Sequence, residues 1–446
     1  MGWIKTKLGD YLTVRKDRFK PSDERILGLR RIEKIDFAGN IYVSDKPSNT
    51  DMILVKKGDL VISGINVEKG AMNVYEGDED LVATIHYSSY SFDRDKLNID
   101  FLKHFLKSDK FKEVLKEQVP GGIKTEIKPK HILPLEVNFP ETLLEQNDTV
   151  EQLDNYNIQI NSIDSELQNQ LAYVKQLRQA YLTEAMQGKL VSNDLPAGEE
   201  TGQQLLEKIK AEKSQLIKDK KLKKEKPLAP IKPEEIPFEI PENWVWCRLG
   251  EIVMMSRGKF SIRPRNDPRY FGGEHPFIQI GSLDEYGSVI NNSPQTLNEL
   301  GCKVSKKFPK ETIVIAIVGG TIGNLGILGR EMYFTDSIVG VLPFELYVQK
   351  FILNYLKHKQ PEIKSQGYQM AGQPNIKLPN LENLFIAFPP LCIQNKIVEK
   401  LDELMHHCDA LEESIKASQT YNQQLLQQVL KEALEVKEEV IFDNGS

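Results

Sequence analysis

The sequence predicts an α/β (α+β) protein built twice over: a globular unit followed by a long helix, with the two helices pairing as an antiparallel coiled coil in a pseudo-twofold molecule. Three observations predict it. A set of motifs recurs at offsets of 241 to 250 residues, two stretches carry apolar heptads, and charge is divided unevenly between globular and helical segments. The 446 residues, 40% hydrophobic and 27% charged, supply ordinary globular cores and exclude wholesale disorder.

The repeat opens at Trp3-x-x-x-Lys7-Leu8-Gly9-Asp10, which returns as Trp244-x-x-x-Arg248-Leu249-Gly250-Glu251. Phe139-Pro140 and Phe388-Pro389 each close a strand-like alternation, followed by Gln146-Asn147 and Gln394-Asn395. Val150-Glu151-x-Leu153-Asp154 matches Val398-Glu399-x-Leu401-Asp402, and Leu177, Leu182, Glu184 and Ala185 match Leu425, Leu430, Glu432 and Ala433, all at offset 248. One constant offset over 36 residues is not a chance pattern, and copies of domain size point away from a solenoid. Elsewhere the copies diverge, although Ile127-Lys128 still faces Ile376-Lys377.

Each element then follows in order. Residues 1–140 are expected to form a globular unit with a twisted, mainly β core, in which Asp59-Leu60-Val61-Ile62-Ser63 is a buried strand. Residues 141–192 read as a helix whose seam carries Leu153, Ile160, Leu167, Val174 and Tyr181 at one heptad position and Tyr156, Ile163 and Leu177 at the other. Residues 193–243 read as a linker: nine lysines lie between 208 and 226, and Pro227, Pro230, Pro233, Pro237 and Pro241 follow. Residues 244–385 form the second globular unit, with Thr312 to Val318 as its buried strand. Residues 386–446 form the second helix, with Leu401, Cys408, Ile415 and Val429 at one seam position and Leu404, Leu411 and Leu425 at the other, interrupted by Asn422. A helix of some 40 residues measures about 60 Å at 1.5 Å per residue, which makes it a spacer.

The net charge of −6 at first argues against a nucleic-acid partner. Division by segment removes the objection: 1–140 carry +2, 141–190 −5, 191–243 −1, 244–385 +4 and 386–446 −6. A phosphate-binding surface needs a local positive patch, not a positive total. Basic residues cluster beside glycine, proline and amide residues. In the first unit they are Arg15, Lys16, Arg18, Lys20, Arg30, Arg31 and Lys124. In the second they are Arg257, Lys259, Arg263, Arg265 and Arg269, with Tyr270, Tyr368, Gln369, Gln373 and Asn375 nearby. Arginine and lysine suit guanine edges and phosphates, and asparagine and glutamine suit adenine, so these residues are the DNA-binding candidates.

Catalytic signatures are missing from the sequence. Gly319 to Gly326 lacks the Lys-Ser/Thr ending of a phosphate loop and reads as a turn between strands. His406-His407-Cys408-Asp409 resembles a metal cluster until the heptad places Cys408 in the seam, so no metal is expected. There is no Asn-Pro-Pro-Tyr-like motif, Walker A sequence, acid-acid-Lys nuclease set or nucleophile elbow. Cys247, Cys302, Cys392 and Cys408 lie far apart, as reduced cytoplasmic thiols do. Neither a signal peptide nor a membrane span is expected. The chain reads as a recognition and assembly subunit, with a coiled-coil scaffold or adaptor whose globular ends bind proteins as the alternative.

Trp244-Val245-Trp246-Cys247-Arg248-Leu249-Gly250-Glu251, preceded by Ile236-Pro237-Phe238-Glu239-Ile240-Pro241-Glu242-Asn243, resembles the specificity subunit of type I restriction-modification systems. So does Phe388-Pro389-Pro390-Leu391 leading through Gln394 and Lys396-Ile397-Val398 to Lys400-Leu401-Asp402. The first half keeps a degraded version, with Phe139-Pro140-Glu141 and Asp148-Thr149. The resemblance implies two target recognition domains, 1–140 and 244–385, each reading one half of a bipartite, asymmetric site in double-stranded DNA, with the helices as the ruler. It implies two methyltransferase subunits docked on the helices, using S-adenosylmethionine to methylate adenine N6, and motor-nuclease subunits using ATP and Mg for restriction. The chain itself is then non-catalytic, binds no cofactor, and works in phage defence in a bacterial or archaeal cytoplasm.

Overall fold

The structure is a computed structural model and describes residues 2–119, 126–220, 222, 227–368 and 374–434. It divides into two compact units, Met1–Gln170 with Ser414–Ser446, and Leu171–Glu413.

The chain opens with β1 (Trp3–Lys7), β2 (Leu12–Val14), β3 (Arg18–Phe19), β4 (Arg31–Ile35) and β5 (Ile41–Ser44). Next come β6 (Met52–Val55), β7 (Leu60–Ser63), β8 (Met72–Val74), β9 (Leu81–Thr84) and β10 (Tyr87–Phe92). Helices α1 (Ile99–Lys107), α2 (Asp109–Gln118) and α3 (Pro129–Ile132), strand β11 (Glu136–Pro140) and the long α4 (Leu143–Met186) complete the first half. The second half runs α5 (Gly202–Lys218), β12 (Val245–Arg248), α6 (Leu249–Ile252), β13 (Val253–Arg257), β14 (Phe271–Ile278), β15 (Val289–Ile290) and β16 (Gln295–Leu297). Then follow α7 (Glu299–Val304), β17 (Lys307–Phe308), β18 (Ile313–Ala316), β19 (Leu325–Leu328), β20 (Met332–Phe334) and β21 (Ile338–Pro343). The last elements are α8 (Gln349–Tyr368), α9 (Leu378–Glu382), β22 (Phe385–Phe388) and α10 (Leu391–Ala433).

The sequence repeat is a repeat of topology. In the first unit β1 pairs antiparallel with β11, and one sheet runs β2-β10-β7-β8. In the second, β12 pairs antiparallel with β22, and the sheet runs β13-β21-β18-β19 with β15 added at its edge. The remaining sheet runs β3-β6-β9-β4-β5 in the first unit and β17-β20-β14-β16 in the second. There the pair β4 and β9 and its counterpart β14 and β20 are both parallel. Strands β7 and β18 hold the same place, and all four residues of each are buried, which is why both read as apolar runs.

Helix α1 starts where the Asn98 side chain accepts the amides of Asp100 and Phe101 at 2.8 and 3.1 Å, a standard N-cap. Its Phe101 and Phe105 meet Phe139 of β11 edge to face, centroids 5.0 and 5.2 Å apart. In the second unit Phe351 and Tyr355 of α8 do the same work: Phe351 lies 6.5 Å from Phe388, and the Tyr355 hydroxyl donates to the Phe385 carbonyl at 2.7 Å.

The repeated motifs are fastenings. Leu8 and Leu249 are both fully buried. Their amides donate to the Leu135 and Leu384 carbonyls, and the following acids, Asp10 and Glu251, accept the amides of Lys7 and Arg248 at 3.0 and 2.7 Å. Gly9 is required because a Cβ there would meet the Leu133 carbonyl at 2.9 Å. Gln146 and Gln394, both buried, donate to the Pro140 and Pro389 carbonyls at 3.2 and 2.9 Å, tying each long helix to the strand before it.

The helices keep one of the two expected seam positions and shift the other. Leu153, Ile160 and Val174 on α4, and Leu401, Cys408 and Ile415 on α10, are buried, with Leu167 and Val429 half-buried. Tyr156, Ile163, Leu411 and Leu425, expected in the second position, are 47%, 47%, 49% and 51% exposed. The covered stripe instead passes through Asn157, Asp164, Leu171 and Arg178 on α4 and Met405, Glu412, Gln419 and Leu426 on α10, while Leu177 and Leu404 are half-buried beside it. The reason is polar pairing. In the first unit Asn422 Nδ2 donates to Asp164 Oδ1 at 2.6 Å and to the Ile160 carbonyl at 3.0 Å. In the second unit Arg178 Nη2 lies 2.7 Å from Asp409 and 3.0 Å from Glu412. Burial works against the Arg178 charge, but these two carboxylates outweigh it and raise its pKa.

Residues 193–243 are not a free tether. Helix α5 carries a capping box between Thr201 and Gln204, and its Leu205, Leu206 and Ile209 are buried in the core of the second unit. Phe238 stands 4.9 Å from Trp246, edge to face. Buried Arg248 reaches back to this segment, donating Nε to the Ala229 carbonyl at 2.8 Å and Nη1 to that of Asn383 at 3.2 Å, with its guanidinium over the Phe385 ring. The lysines at 221, 223, 224 and 226 lie outside the described residues.

Candidate nucleic-acid interface

Strand register places one rim in each unit. In the first, the end of β2, the start of β10 and the end of β7 coincide: Val14 faces Tyr90 and Tyr87 faces Ser63. In the second, Arg257 at the end of β13 faces Val339, and Ile338 faces Ala316 at the end of β18. The segment before the last strand closes both rims: the Ile127 amide donates to Gly64 at 2.7 Å, and the Ile376 amide to Ile317 at 2.8 Å. Lys128 and Lys377, next in sequence, therefore occupy matching places, as do Lys16 and Arg257.

The first rim encloses a cleft of about 290 Å³ lined by Arg15, Lys16, Arg18, Lys128 and Lys130, together with His86 and Glu126. Burial tends to raise the Glu126 carboxyl, but bonds from His86 at 3.1 Å and Lys128 at 3.2 Å bring it below its ordinary range. Arg15 is anchored: buried Asp59 accepts from its Nε and, at 2.8 Å, from its Nη2, and also from the Lys56 amide and Ser89 hydroxyl. That bond raises the Arg15 pKa. Among the described residues Lys16, Arg18 and Lys130 line the cleft without an ion pair. Lys20 is exposed just beyond β3. Arg30 pairs with Asp45 at 3.2 Å, and Arg31 donates to the Lys46 carbonyl at 3.3 Å, so both serve the β4–β5 hairpin and do not line the cleft.

The second rim carries a different arrangement. Arg257 Nε donates to the Asp336 carbonyl at 3.2 Å, Arg265 Nη2 lies 2.6 Å from Asp336 Oδ1, and Arg263 Nη2 lies 3.8 Å from Asp336 Oδ2. Lys259 is exposed beside them. Arg269 is held by Asp267, and Tyr270 packs against buried Phe260 with centroids 6.4 Å apart, so neither belongs to the Asp336 group. Tyr368 is exposed at the end of α8. Asn375 bridges Val318 through its backbone, and its Oδ1 is buried without a partner among the described residues. Lys124, Gln369 and Gln373 lie outside the described residues.

His86, Lys128, Lys130, Asp336 and Lys377 were not singled out by the basic clusters. The signal for Lys128 and Lys377 was present as the Ile-Lys repeat pair. Asp336 had none, since its role comes from a turn that meets a distant loop. Among the described residues no group of three His, Cys, Asp or Glu side chains is placed to hold a metal, and all four cysteines are free. No helix among them is long and apolar enough to cross a membrane.

Residues 241–419 match the family model of the type I restriction modification DNA specificity domain. The type I restriction enzyme EcoEI specificity subunit of Escherichia coli is 32% identical over 272 residues, 58% of this chain and 43% of that protein. The EcoAI specificity subunit of the same species is 31% identical over 278 residues, 58% of this chain and 44% of the relative. The matched stretch thus spans less than half the length of these relatives. Among solved structures, a chain from a study of complex assembly and conformational transition of the type I R-M system has the same fold, with TM-score 0.66 and 15% identity over 97% of this chain and 98% of that one. The family match falls on the second globular unit and the first part of α10. The chain is thus similar, over its second half above all, to type I restriction-modification specificity subunits.

Proposed function

We propose that this chain is the DNA-reading subunit of a type I restriction-modification complex, with each unit reading one half of a bipartite, asymmetric site. The observation that carries the proposal is the matched position of the two basic rims: one sheet end, closed by one Ile-Lys segment, carries cations in both units. Unpaired lysines and Arg18 contact phosphates and set position, while oriented arginines meet base edges. Divergent rims on a common topology give two different half-sites.

The paired helices set the spacing between half-sites and dock two methyltransferase subunits. Their exposed Tyr156, Ile163, Leu411 and Leu425 provide apolar surface away from the seam. Methyl transfer from S-adenosylmethionine, and ATP- and Mg-dependent translocation and cleavage, belong to partner subunits in the cytoplasm, and this chain contributes recognition. The test is selection from a random duplex library by the full chain co-expressed with its methyltransferase. Enrichment of a bipartite sequence with an unspecified middle is expected, and enrichment of no sequence contradicts the proposal.

A further inference from the structure

We infer that Asp336 is a positioning residue that aims Arg265 at a guanine in the half-site read by the second unit. The inference rests on the DNA-reading function proposed above.

Asp336 sits on a fixed base. The Ile338 amide donates to Thr335 at 3.2 Å, the Gly258 amide to Ile338 at 2.9 Å and the Lys259 amide to Phe334 at 3.0 Å, while buried Phe334 stacks on Phe308 with centroids 3.9 Å apart. Only glycine fits at 258, where a Cβ would stand 2.3 Å from the Thr335 carbonyl. The turn bearing Asp336 and the strand end bearing Arg257 are therefore one rigid piece.

The three arginines around it are not equivalent. Arg257 is bound to the Asp336 backbone carbonyl, and Arg263 Nη1 is held by the Phe260 and Ile262 carbonyls at 3.0 and 2.8 Å. Arg265 has the Asp336 carboxylate as its one bonded partner among the described residues, through a single nitrogen. A guanidinium has five N–H donors in a fixed plane, so four remain, enough for the two-pronged contact that guanine O6 and N7 accept. Three guanidinium groups against one carboxylate leave the cluster positive, so the acid can face DNA without repelling it. Lys259, exposed and without an ion pair among the described residues, has no such orientation and suits a phosphate.

The experiment is selection from duplexes with randomised half-sites, using the full chain assembled with its methyltransferase as wild type, Asp336→Asn, Asp336→Glu, Arg265→Ala and Arg265→Lys, with affinity for random duplex measured in parallel. Asp336→Asn and Arg265→Ala are expected to lose at least about tenfold of the guanine preference at the same single position. Their random-duplex affinities should move in opposite directions, rising when the carboxylate is removed and falling when the guanidinium is removed. Asp336→Glu should restore part of the preference and Arg265→Lys none. Asp336→Asn retaining the full preference, or loss at different positions in the two variants, overturns the inference alone. A wild-type complex that selects no sequence overturns the DNA-reading function and this inference with it.

Discussion

The side-chain amide of Asn422 stands 2.6 Å from the Asp164 carboxylate and 3.0 Å from the Ile160 carbonyl, a polar layer inside the helix pair of the first unit. Removing one partner strands the other, so Asn422→Ala is expected to cost about 1–3 kcal/mol in denaturant unfolding. The double change Asn422→Leu with Asp164→Leu is expected to be far milder in stability but to loosen register. Equal losses in both variants would show that the polar layer has no role in specifying the pairing.

The shifted seam makes a contrast within α4. Ile160→Ala, at a buried position, should lower stability by about 2–4 kcal/mol. Ile163→Ser, at a 47% exposed position, should stay within about 0.5 kcal/mol. Thermal unfolding of the two variants separates them, and a large loss at Ile163 would restore the simple heptad.

How much was legible in the sequence follows from these helices. The repeat, the strands β7 and β18 and one seam position were readable because they rest on contiguous or regularly spaced apolar residues. The second seam position was misread because Asp164, Arg178 and Glu412 are covered polar residues whose partners lie far along the chain, while apolar Tyr156, Ile163 and Leu411 stand next to them. The 193–243 segment misled in the same way: its lysines and prolines concealed Leu205, Leu206 and Ile209, three residues that bury α5. Lys16 and Arg257 are legible as charged positions, but nothing local distinguishes Arg15, fixed by Asp59, from a side chain open to a ligand.

Arg248 tests the structural reading of the repeated motif. Buried and bonded to Ala229 and Asn383, it is expected to lose about 2–4 kcal/mol on change to alanine and to expose 227–243 to proteolysis. Its counterpart Lys7 is exposed, and Lys7→Ala should leave stability unchanged. Equal sensitivity of the two would mean that the motif acts through something other than this fastening.

His358 gives the second unit a pH dependence. Burial holds its imidazole down at about 4, with Lys359 adding to the effect and Glu362 opposing it. Gln179 Nε2 lies 3.4 Å from Nδ1 and the Thr183 hydroxyl 3.3 Å, so a proton on Nδ1 would point at an amide donor. The unfolded chain binds a proton near 6.5 and the folded chain does not, so stability is full above that pH and falls as pH drops toward 4, by up to about 3 kcal/mol. His358→Gln should flatten this part of the stability curve; an unchanged slope would assign it to other groups.

The central claim is that the two rims read separate half-sites. The most direct measurement replaces residues 244–385 with the corresponding unit of another such subunit and determines the bound sequence of the assembled complex by library selection. One half-site is expected to change while the other half-site and the spacing between them stay as they were. A change in both half-sites, or in neither, would contradict it.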